Sequence, residues 1–235
     1  MMKAQFSRPK SKNSVFICSI TEISIKVVKC LRQNNTKREF VSIEAETLPA
    51  NTDDKAAAVK LNQIFKKLEY KNNLVIVSLP RNLATCRYLK VPSQNLEEIE
   101  RIATLQAPHY LPYSAEELIT AYQIVQTDKD GYSHINLVIT HKDVVARILN
   151  IFKELKPLRL DIALSSYGLC NLYNHIRPQD NLATMIIDID SSQIELAISV
   201  NRKLVFSRSF KLSFAQENWD NVLADEINKS RDAYL

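Results

Sequence analysis

The alternation of apolar and polar positions predicts a compact block of strands and helices in the middle of the chain. An uninterrupted apolar run predicts a buried strand at Leu74–Leu79, and Thr85–Val91 predicts a second strand. Ser93 is then placed to cap a helix, in which Leu96, Ile99 and Ala103 recur at helical spacing. A further strand is predicted at residues 119–125. Residues 135–140 predict another, followed by a helix that ends at Pro157.

A shorter pattern of three strands and a helix occurs twice, once on each side of this block. The first copy has strands at residues 15–20, 23–27 and 39–45, and its helix is capped within residues 51–54. The second copy has strands at residues 183–189, 194–200 and 204–210, followed by a helix that carries Trp219. The repetition predicts an internal duplication, with two related α/β lobes.

Composition restricts the class of protein. The 235 residues are 46% hydrophobic, which is enough for one large domain or two lobes with a real core. No apolar run reaches the roughly 18–20 residues that cross a bilayer, and no secretory signal pattern follows the N-terminus, so we expect a cytoplasmic protein. The four cysteines show no C-x-x-C pair and indicate small buried residues of a reducing compartment: Cys18, Cys30, Cys86 and Cys170.

The net charge of +5 is spread along the chain and is densest in residues 1–13. We expect a disordered basic tail there, with weak attraction to an anionic membrane surface as the alternative. No zinc-finger spacing, Arg-rich helix or aromatic platform indicates a nucleic-acid partner. The chain has only two glycines, which disfavours any mechanism that holds phosphates in a glycine-rich loop.

Four segments, in the same order and at similar spacing, resemble the PilM class of type IV pilus assembly proteins. The sequence APHYLPYSAEEL at residues 107–118 resembles that family's A-x-x-Y-I-P-F-x-x-E-E-V segment. It follows strands ending in proline and a Glu-rich helix, as in the family. The sequence KPLRLD at residues 156–161 resembles the link G-L-K-P-x-x-I-D without its glycine, and LADEINKSRDAY at residues 223–234 resembles L-x-x-E-I-x-R-S-x-x-Y.

The resemblance implies an α/β, actin-like (ribonuclease H-like) fold with an inserted small α+β subdomain. On this basis residues 14–73 are expected to form the first lobe, residues 74–156 the insert and residues 157–235 the second lobe. The family continues beyond its last helix into a strand and a Gly-Gly turn over adenosine, which this sequence lacks. Whether the chain is a fragment or has no adenosine pocket stays open.

The first of the two hairpins that hold phosphates in actin-like ATPases is altered here. By the resemblance, Ser19 stands where the family has Asp and Thr21 where it has Gly, and only Lys26 is retained. Glu22 would add a negative charge beside the phosphates. Backbone N–H groups approach a phosphate most easily at glycine, which has no Cβ, so the loss of this glycine disfavours phosphate binding.

The second hairpin is altered as well. It keeps Asp188, Ser191 and Ser192, but Asp190 replaces the glycine. We therefore expect no cofactor, and binding of ATP with Mg²⁺ through Lys26, Asp188 and the two serines is the alternative.

No other constellation indicates catalysis or a metal site. Asp188 and Asp190 could hold a cation, since residues i and i+2 of a strand share one face, but two carboxylates alone do not indicate a metal site. The histidines show no metal spacing and are expected at surface or packing positions: His109, His134, His141 and His175. No Ser-His-Asp or Cys-His arrangement is evident, so we expect no catalytic and no metal-binding residues.

The resemblance therefore implies a non-catalytic scaffold of a type IV pilus, or of a related secretion machine, at the inner membrane. Its partner would be the N-terminal cytoplasmic peptide of a bitopic PilN-like protein, which would also give the chain its indirect membrane association. The groove candidates are Tyr110, Leu111, Pro112 and Tyr113, which could equally be core residues. Homo-oligomer formation is also implied.

Three alternatives remain. One is an ATP-dependent switch of the same fold, another is the cytoplasmic domain of a type II secretion L-type protein, and the last is an actin-like cell-division protein that docks on membranes.

Overall fold

A computed structural model of the chain describes residues 14–32, 38–179, 181–190 and 193–234. The predicted tail, residues 1–13, lies outside the described residues, as do Ser191 and Ser192. The chain divides into two compact units. Unit 1 is Met1–Leu79 with Ala146–Ala163, and unit 2 is Pro80–Val145 with Leu164–Leu235.

The described residues form eleven strands and five α-helices. The helices are α1 (Asp54–Lys67), α2 (Leu96–Gln106), α3 (Lys142–Phe152), α4 (Ser165–Ile176) and α5 (Trp219–Tyr234). The strands are β1 (Ser14–Ile20), β2 (Ser24–Arg32), β3 (Arg38–Thr47), β4 (Leu74–Leu79), β5 (Thr85–Val91), β6 (Leu118–Thr127), β7 (Ser133–His141), β8 (Arg159–Leu164), β9 (Thr184–Asp190), β10 (Gln193–Val200) and β11 (Lys203–Lys211). None of the described helices is both long enough and apolar enough to cross a bilayer.

Unit 1 is built on a five-stranded sheet in the order β3-β2-β1-β4-β8. Helix α1 begins after Asp53, whose carboxylate accepts from the N–H of Ala56 at 2.7 Å. The buried ring of Phe65 on α1 stacks on Phe16 of β1 at 5.3 Å between centroids and meets Phe152 of α3 edge-on at 6.2 Å. These aromatic contacts form the core of the unit.

Strand β4 belongs to this sheet, although it lies within residues 74–156, the segment predicted to form the insert. It pairs in parallel with β1, with Val15 opposite Leu74 and Ser19 opposite Ser78. Strand β8, which was assigned to the second lobe, also joins the sheet of unit 1. An apolar run such as LVIVSL fits the middle of any sheet, so its sequence does not specify its neighbour.

Unit 2 contains two antiparallel three-stranded sheets, in the orders β5-β7-β6 and β11-β10-β9. Helix α2 covers the first sheet, and its Ile99 and Ala103 pack on Ile135, Leu137 and Ile139 of β7. Helix α4 packs on the second sheet, where its Cys170 meets Ala197 of β10.

Two local details of unit 2 differ from the sequence predictions. Asn95, not Ser93, caps α2, and its side chain accepts from the N–H groups of Glu97 and Glu98. The hydroxyl of Ser93 instead donates to the Glu98 carboxylate at 2.6 Å and accepts from the N–H of Asn95 at 3.0 Å. Helix α4 was not predicted, because its first turn holds two serines and a tyrosine in place of an apolar stripe.

Candidate functional site

The turn between β1 and β2 is closed by the side chain of Thr21. Its hydroxyl oxygen accepts from the backbone N–H of Ser24 at 3.1 Å and from that of Ile23 at 3.4 Å. The N–H of Thr21 in turn donates to the carbonyl of Ser24 at 2.9 Å. The N–H groups of Thr21, Ile23 and Ser24 are therefore bonded within the hairpin, and a phosphate at this turn would have to compete for them.

The other predicted residues of the first hairpin lie on its strands. Ser19 of β1 and Lys26 of β2 are directly opposite each other, so their side chains share one face of the sheet. Both are partly buried. One residue pair, Ile20 and Ile25, separates Ser19 and Lys26 from the Thr21 turn.

The second hairpin, between β9 and β10, places acidic side chains side by side. Asp188 lies opposite Glu195, and Asp190 lies opposite Gln193. Glu195 is only 7% exposed, and its carboxylate accepts from the hydroxyls of Ser165 at 2.6 Å and Ser166 at 2.5 Å, the first two residues of α4.

Burial raises the pKa of Glu195, and the neighbouring charge of Asp188 raises it further, while the two serine hydroxyls act in the opposite direction. Sequence reasoning missed this residue, because a single glutamate in an apolar strand gives no signal of a partner on a distant helix. The predicted residues Ser191 and Ser192 lie outside the described residues.

Each hairpin has a feature that disfavours a phosphate group. In the first, the N–H groups of Ile23 and Ser24 donate to the Thr21 hydroxyl. In the second, Asp188 and Asp190 are both exposed acids, and two like unit charges about 4 Å apart repel by roughly 1 kcal/mol in water and about 4 kcal/mol at an effective dielectric of 20. Within the described residues, no group of three or more His, Cys, Asp or Glu side chains is placed to hold a metal ion.

The predicted groove residues lie where α2 ends and the chain turns towards β6. Tyr110 and Leu111 are half-buried and pack against the core under the β5-β7-β6 sheet. The guanidinium of Arg87 lies over the Tyr110 ring at 5.2 Å. Pro112 is exposed, and the Tyr113 side chain is 44% exposed. The four residues therefore divide into two packing residues and two surface residues.

The exposed pair is held on a rigid support. The ring of Tyr113 contacts the ring of His141 at 4.7 Å between centroids. The next residue, Ser114, forms a capping box with Glu117, whose carboxylate accepts from both the N–H and the hydroxyl of Ser114 at 2.9 Å. These hydrogen bonds lower the pKa of Glu117. We name Pro112 and Tyr113 the elbow surface.

Arg81 is a further structural residue, and no sequence motif indicates its role. Its Nε donates to the hydroxyl of Ser207 at 2.8 Å, and one Nη donates to the Ser207 carbonyl at 2.7 Å. Its other Nη donates to the carbonyl of Ala84. Since Ser207 is 126 residues away, only the tertiary structure connects this arginine with β11.

Comparison with solved structures shows an actin-like fold. The chain is similar to a chain of a PilM-PilN type IV pilus biogenesis complex, with a TM-score of 0.73 and 16% identity over 91% of this chain and 66% of that one. It is also similar to the cytoplasmic domain of EpsL, an inner membrane component of the type II secretion system of Vibrio cholerae (TM-score 0.60, 8% identity, 90% of this chain and 74% of that chain).

A third similar structure is a Bacteroides thetaiotaomicron protein with an actin-like ATPase fold and unknown function (TM-score 0.58, 13% identity, 99% of this chain and 82% of that chain). At these identities the likeness shows the fold alone. The chain spans slightly less than two thirds of the PilM chain. The predicted actin-like fold class is confirmed.

The particular family follows from the sequence. The family model for type IV pilus assembly protein PilM matches residues 18–232, and the chain therefore belongs to that family. The predicted PilM-class resemblance is confirmed, and it assigns the chain to the type IV pilus assembly machinery. No curated protein sequence matches the chain.

Proposed function

We propose that the protein is a non-catalytic scaffold of a type IV pilus inner-membrane assembly platform. The observation that carries the proposal is the PilM family match over residues 18–232, together with the similarity to PilM in a PilM-PilN complex. The partner would be the N-terminal cytoplasmic peptide of a PilN-like bitopic membrane protein. The chain would then lie at the cytoplasmic face of the inner membrane, held there by its partner.

The elbow surface is the proposed contact for that peptide. Pro112 and Tyr113 present an apolar surface, and the Tyr113 ring is held in place by His141. A rigid tyrosine contributes a large contact area at a low cost in conformational entropy, and such residues often dominate the binding energy of an interface. Tyr110 and Leu111 would act indirectly, by supporting the backbone of the elbow from the core.

We further propose that no nucleotide gates this scaffold. Thr21 takes up the amide groups of the first hairpin, and Asp190 stands in the second hairpin where the family resemblance places glycine. Both features disfavour an anionic ligand. Homo-oligomer formation, which the family resemblance implies, stays a prediction.

The experiment is an isothermal titration of the purified chain with a synthetic peptide of the PilN-type N-terminal segment encoded by the same genome. We expect micromolar affinity, and we expect Tyr113→Ala to weaken it about tenfold, as for a central aromatic contact. Tyr88→Ala is the matched control, because Tyr88 is also 44% exposed but lies on β5, away from the elbow. Equal affinities for the two variants would refute the placement of the peptide at the elbow.

A parallel titration with magnesium-ATP tests the second part of the proposal. We expect no binding heat from the wild-type chain. Saturable binding that is lost on Lys26→Ala would show instead that the protein is a nucleotide-dependent switch, and that the Thr21 turn opens to admit a phosphate.

A further inference from the structure

Strand β6 is an edge strand without charged residues. In the β5-β7-β6 sheet of unit 2, β6 has a neighbour on one side only among the described strands. None of its ten residues is charged and none is proline, although 24% of the residues in the chain are charged. Charged residues and proline are common means by which an edge strand is kept from pairing with another chain. An added strand therefore meets no such barrier on β6.

One continuous segment of the chain forms the sheet that contains β6. Its three strands lie within residues 85–141, and all of these residues are described. At the far end of β6 the edge is already used, because the ammonium group of Lys203 donates to the carbonyl of Val125. Before that point, Ile119 is 36% exposed. The open part of the edge is thus Leu118–Ile124.

The hairpin at the end of β6 shows which of its residues are bonded to β7. The N–H of Asp128 donates to the carbonyl of Tyr132 at 2.9 Å, which makes these two residues a bonded pair. Bonded and non-bonded pairs alternate along an antiparallel ladder, so the next bonded pair is Gln126 with His134. Every second residue of β7 then bonds to β6, beginning with His134.

Strand β5, on the other side of β7, gives the same assignment. The carbonyl of Cys86 accepts from the guanidinium of Arg87 at 2.9 Å, so this carbonyl points away from β7. The residues of β5 that bond to β7 are therefore Thr85 and Arg87, whose partners are Ile139 and Leu137. The residues of β7 that lie between these two bond to β6.

The partners of those residues on β6 are Ile119, Ala121 and Gln123. In an antiparallel strand, the residues between bonded pairs turn their N–H and C=O groups to the other side. The outward groups of the open edge are therefore those of four residues: Leu118, Thr120, Tyr122 and Ile124.

Helix α2 places a carboxylate beside the open edge. The hydroxyl of Tyr122 donates to the carbonyl of Leu96 at 3.1 Å, and the hydroxyls of Thr104 and Thr120 are 3.4 Å apart. Leu96 and Thr104 therefore lie on the side of α2 that faces β6. Glu100 is four residues from each of them, so its exposed side chain lies on the same side of the helix.

The elbow surface adjoins the first residue of the same edge. Tyr113 contacts the ring of His141, and His141 is paired with Leu118, where β6 begins. Glu116 and Glu117, which lie between the elbow surface and β6, are both exposed. An extended peptide can thus run from the elbow surface onto β6 along an acidic border.

We propose that the peptide bound at the elbow surface continues along β6 as a fourth strand of the β5-β7-β6 sheet. Its backbone exchanges hydrogen bonds with the outward groups of Thr120 and Tyr122, and such main-chain bonds provide affinity. Its lysine and arginine side chains lie beside the acidic border, since cytoplasmic segments next to a membrane span carry an excess of these residues. This inference rests on the proposed function, because it concerns the same PilN-type peptide.

Hydrogen exchange of the backbone amides, followed by NMR residue by residue, tests the pairing. In the free chain we expect the amides of Thr120 and Tyr122 to exchange quickly, because their N–H groups point outwards, and those of Ala121 and Gln123 to be protected by β7. With free peptide at about ten times its dissociation constant, exchange at Thr120 and Tyr122 should slow about tenfold. The amides of Ala121 and Gln123 are the internal controls and should change little.

The outcomes separate this inference from the proposed function. Binding that Tyr113→Ala weakens, but that leaves exchange at Thr120 and Tyr122 unchanged, overturns the strand pairing and leaves the elbow contact standing. Slow exchange of both amides in the free chain also overturns the pairing, because the edge is then already occupied. A peptide that does not bind overturns both.

N-methylation of the peptide backbone, one position at a time, is a second test. An added strand uses the N–H groups of alternate residues only. We therefore expect the loss of affinity to recur at every second position, at about tenfold for each affected position. A loss of affinity without this alternation contradicts pairing as a strand.

The variant Glu100→Gln tests the acidic border. We expect it to weaken binding about two- to fivefold at low salt, as for a charge at the rim of an interface, and we expect this difference to shrink as salt is added. Glu154→Gln is the matched control, because Glu154 is also exposed but lies in unit 1. Equal affinities for the two variants at low salt would contradict the contact between basic side chains and the border.

Discussion

Replacing the buried Glu195 by glutamine should change how the stability of the protein depends on pH. Burial raises the pKa of this carboxyl above its ordinary value of 4.5, so the folded state keeps the proton at a pH at which the unfolded chain has lost it. The free energy of unfolding of the wild type therefore contains a favourable contribution at low pH. This contribution is lost as the pH rises from about 4.5 through the higher pKa of the folded state.

The magnitude follows from the linkage relation. Within that pH window the wild type loses up to about 1.4 kcal/mol of stability per pH unit from this one group. Glu195→Gln keeps the shape and the two serine contacts but has no charge to bury. We therefore expect the free energy of unfolding of the variant minus that of the wild type to increase with pH above about 4.5 and to level off once Glu195 is ionised.

Urea unfolding at a series of pH values from about 3 to neutral measures this difference for both variants, and contributions from all other groups cancel in the subtraction. Glu226→Gln is the control of opposite sign. The Glu226 carboxylate accepts from Lys229 at 2.7 Å and from Arg208, and these contacts lower its pKa. Its stabilising contribution is present at neutral pH and is lost as the pH falls. A difference for Glu195→Gln that is flat, or that decreases with rising pH, would refute the reasoning.

Three further predictions concern stability and reactivity. Asn95→Ala should destabilise the protein by about 0.5–2 kcal/mol in urea unfolding, because two amide groups at the start of α2 lose their acceptor, whereas Asn95→Asp should be nearly neutral. Phe65→Ala should cost about 3–5 kcal/mol in the same assay, since its ring is fully buried between Phe16 and Phe152, and a cost below about 1 kcal/mol would show that this core is not packed as described. Cys18 should react with a thiol reagent only after unfolding, because burial raises the pKa of its thiol, and rapid labelling of the folded chain at this position would contradict that burial.

Much of the local structure could be predicted from the sequence. The strands β1, β4, β5, β9, β10 and β11 and the helices α1 and α5 lie close to their predicted positions, because their signals are local: alternation, caps and apolar stripes within a few residues. Strand β2, predicted at residues 23–27, continues to Arg32. The Asn95 cap was missed because Ser93, two residues earlier, is an equally good capping residue, and only the backbone geometry decides between them.

Part of the candidate site could be predicted from the sequence. The altered hairpin residues Ser19, Thr21 and Asp190 are visible once the family is recognised, and so is the aromatic elbow. The sequence could not show that the Thr21 hydroxyl takes up the turn amides, or that Tyr113 is exposed while Tyr110 is packed. Whether each of these side chains is exposed or packed depends on which face of its strand, helix or turn contacts the rest of the unit.

The sequence by itself determined the order of most of the strands and helices, without β8 and α4, and the membership of the PilM family, because both depend on short segments and their spacing. The tertiary structure alone decided the long-range pairings. It set β4 beside β1 in unit 1 and brought Arg81 to Ser207 and Glu195 to the start of α4. Contacts between residues far apart in the chain depend on packing and backbone hydrogen bonding over the whole unit. The local sequence of an apolar strand, or the identity of a single charged residue, does not specify its partner.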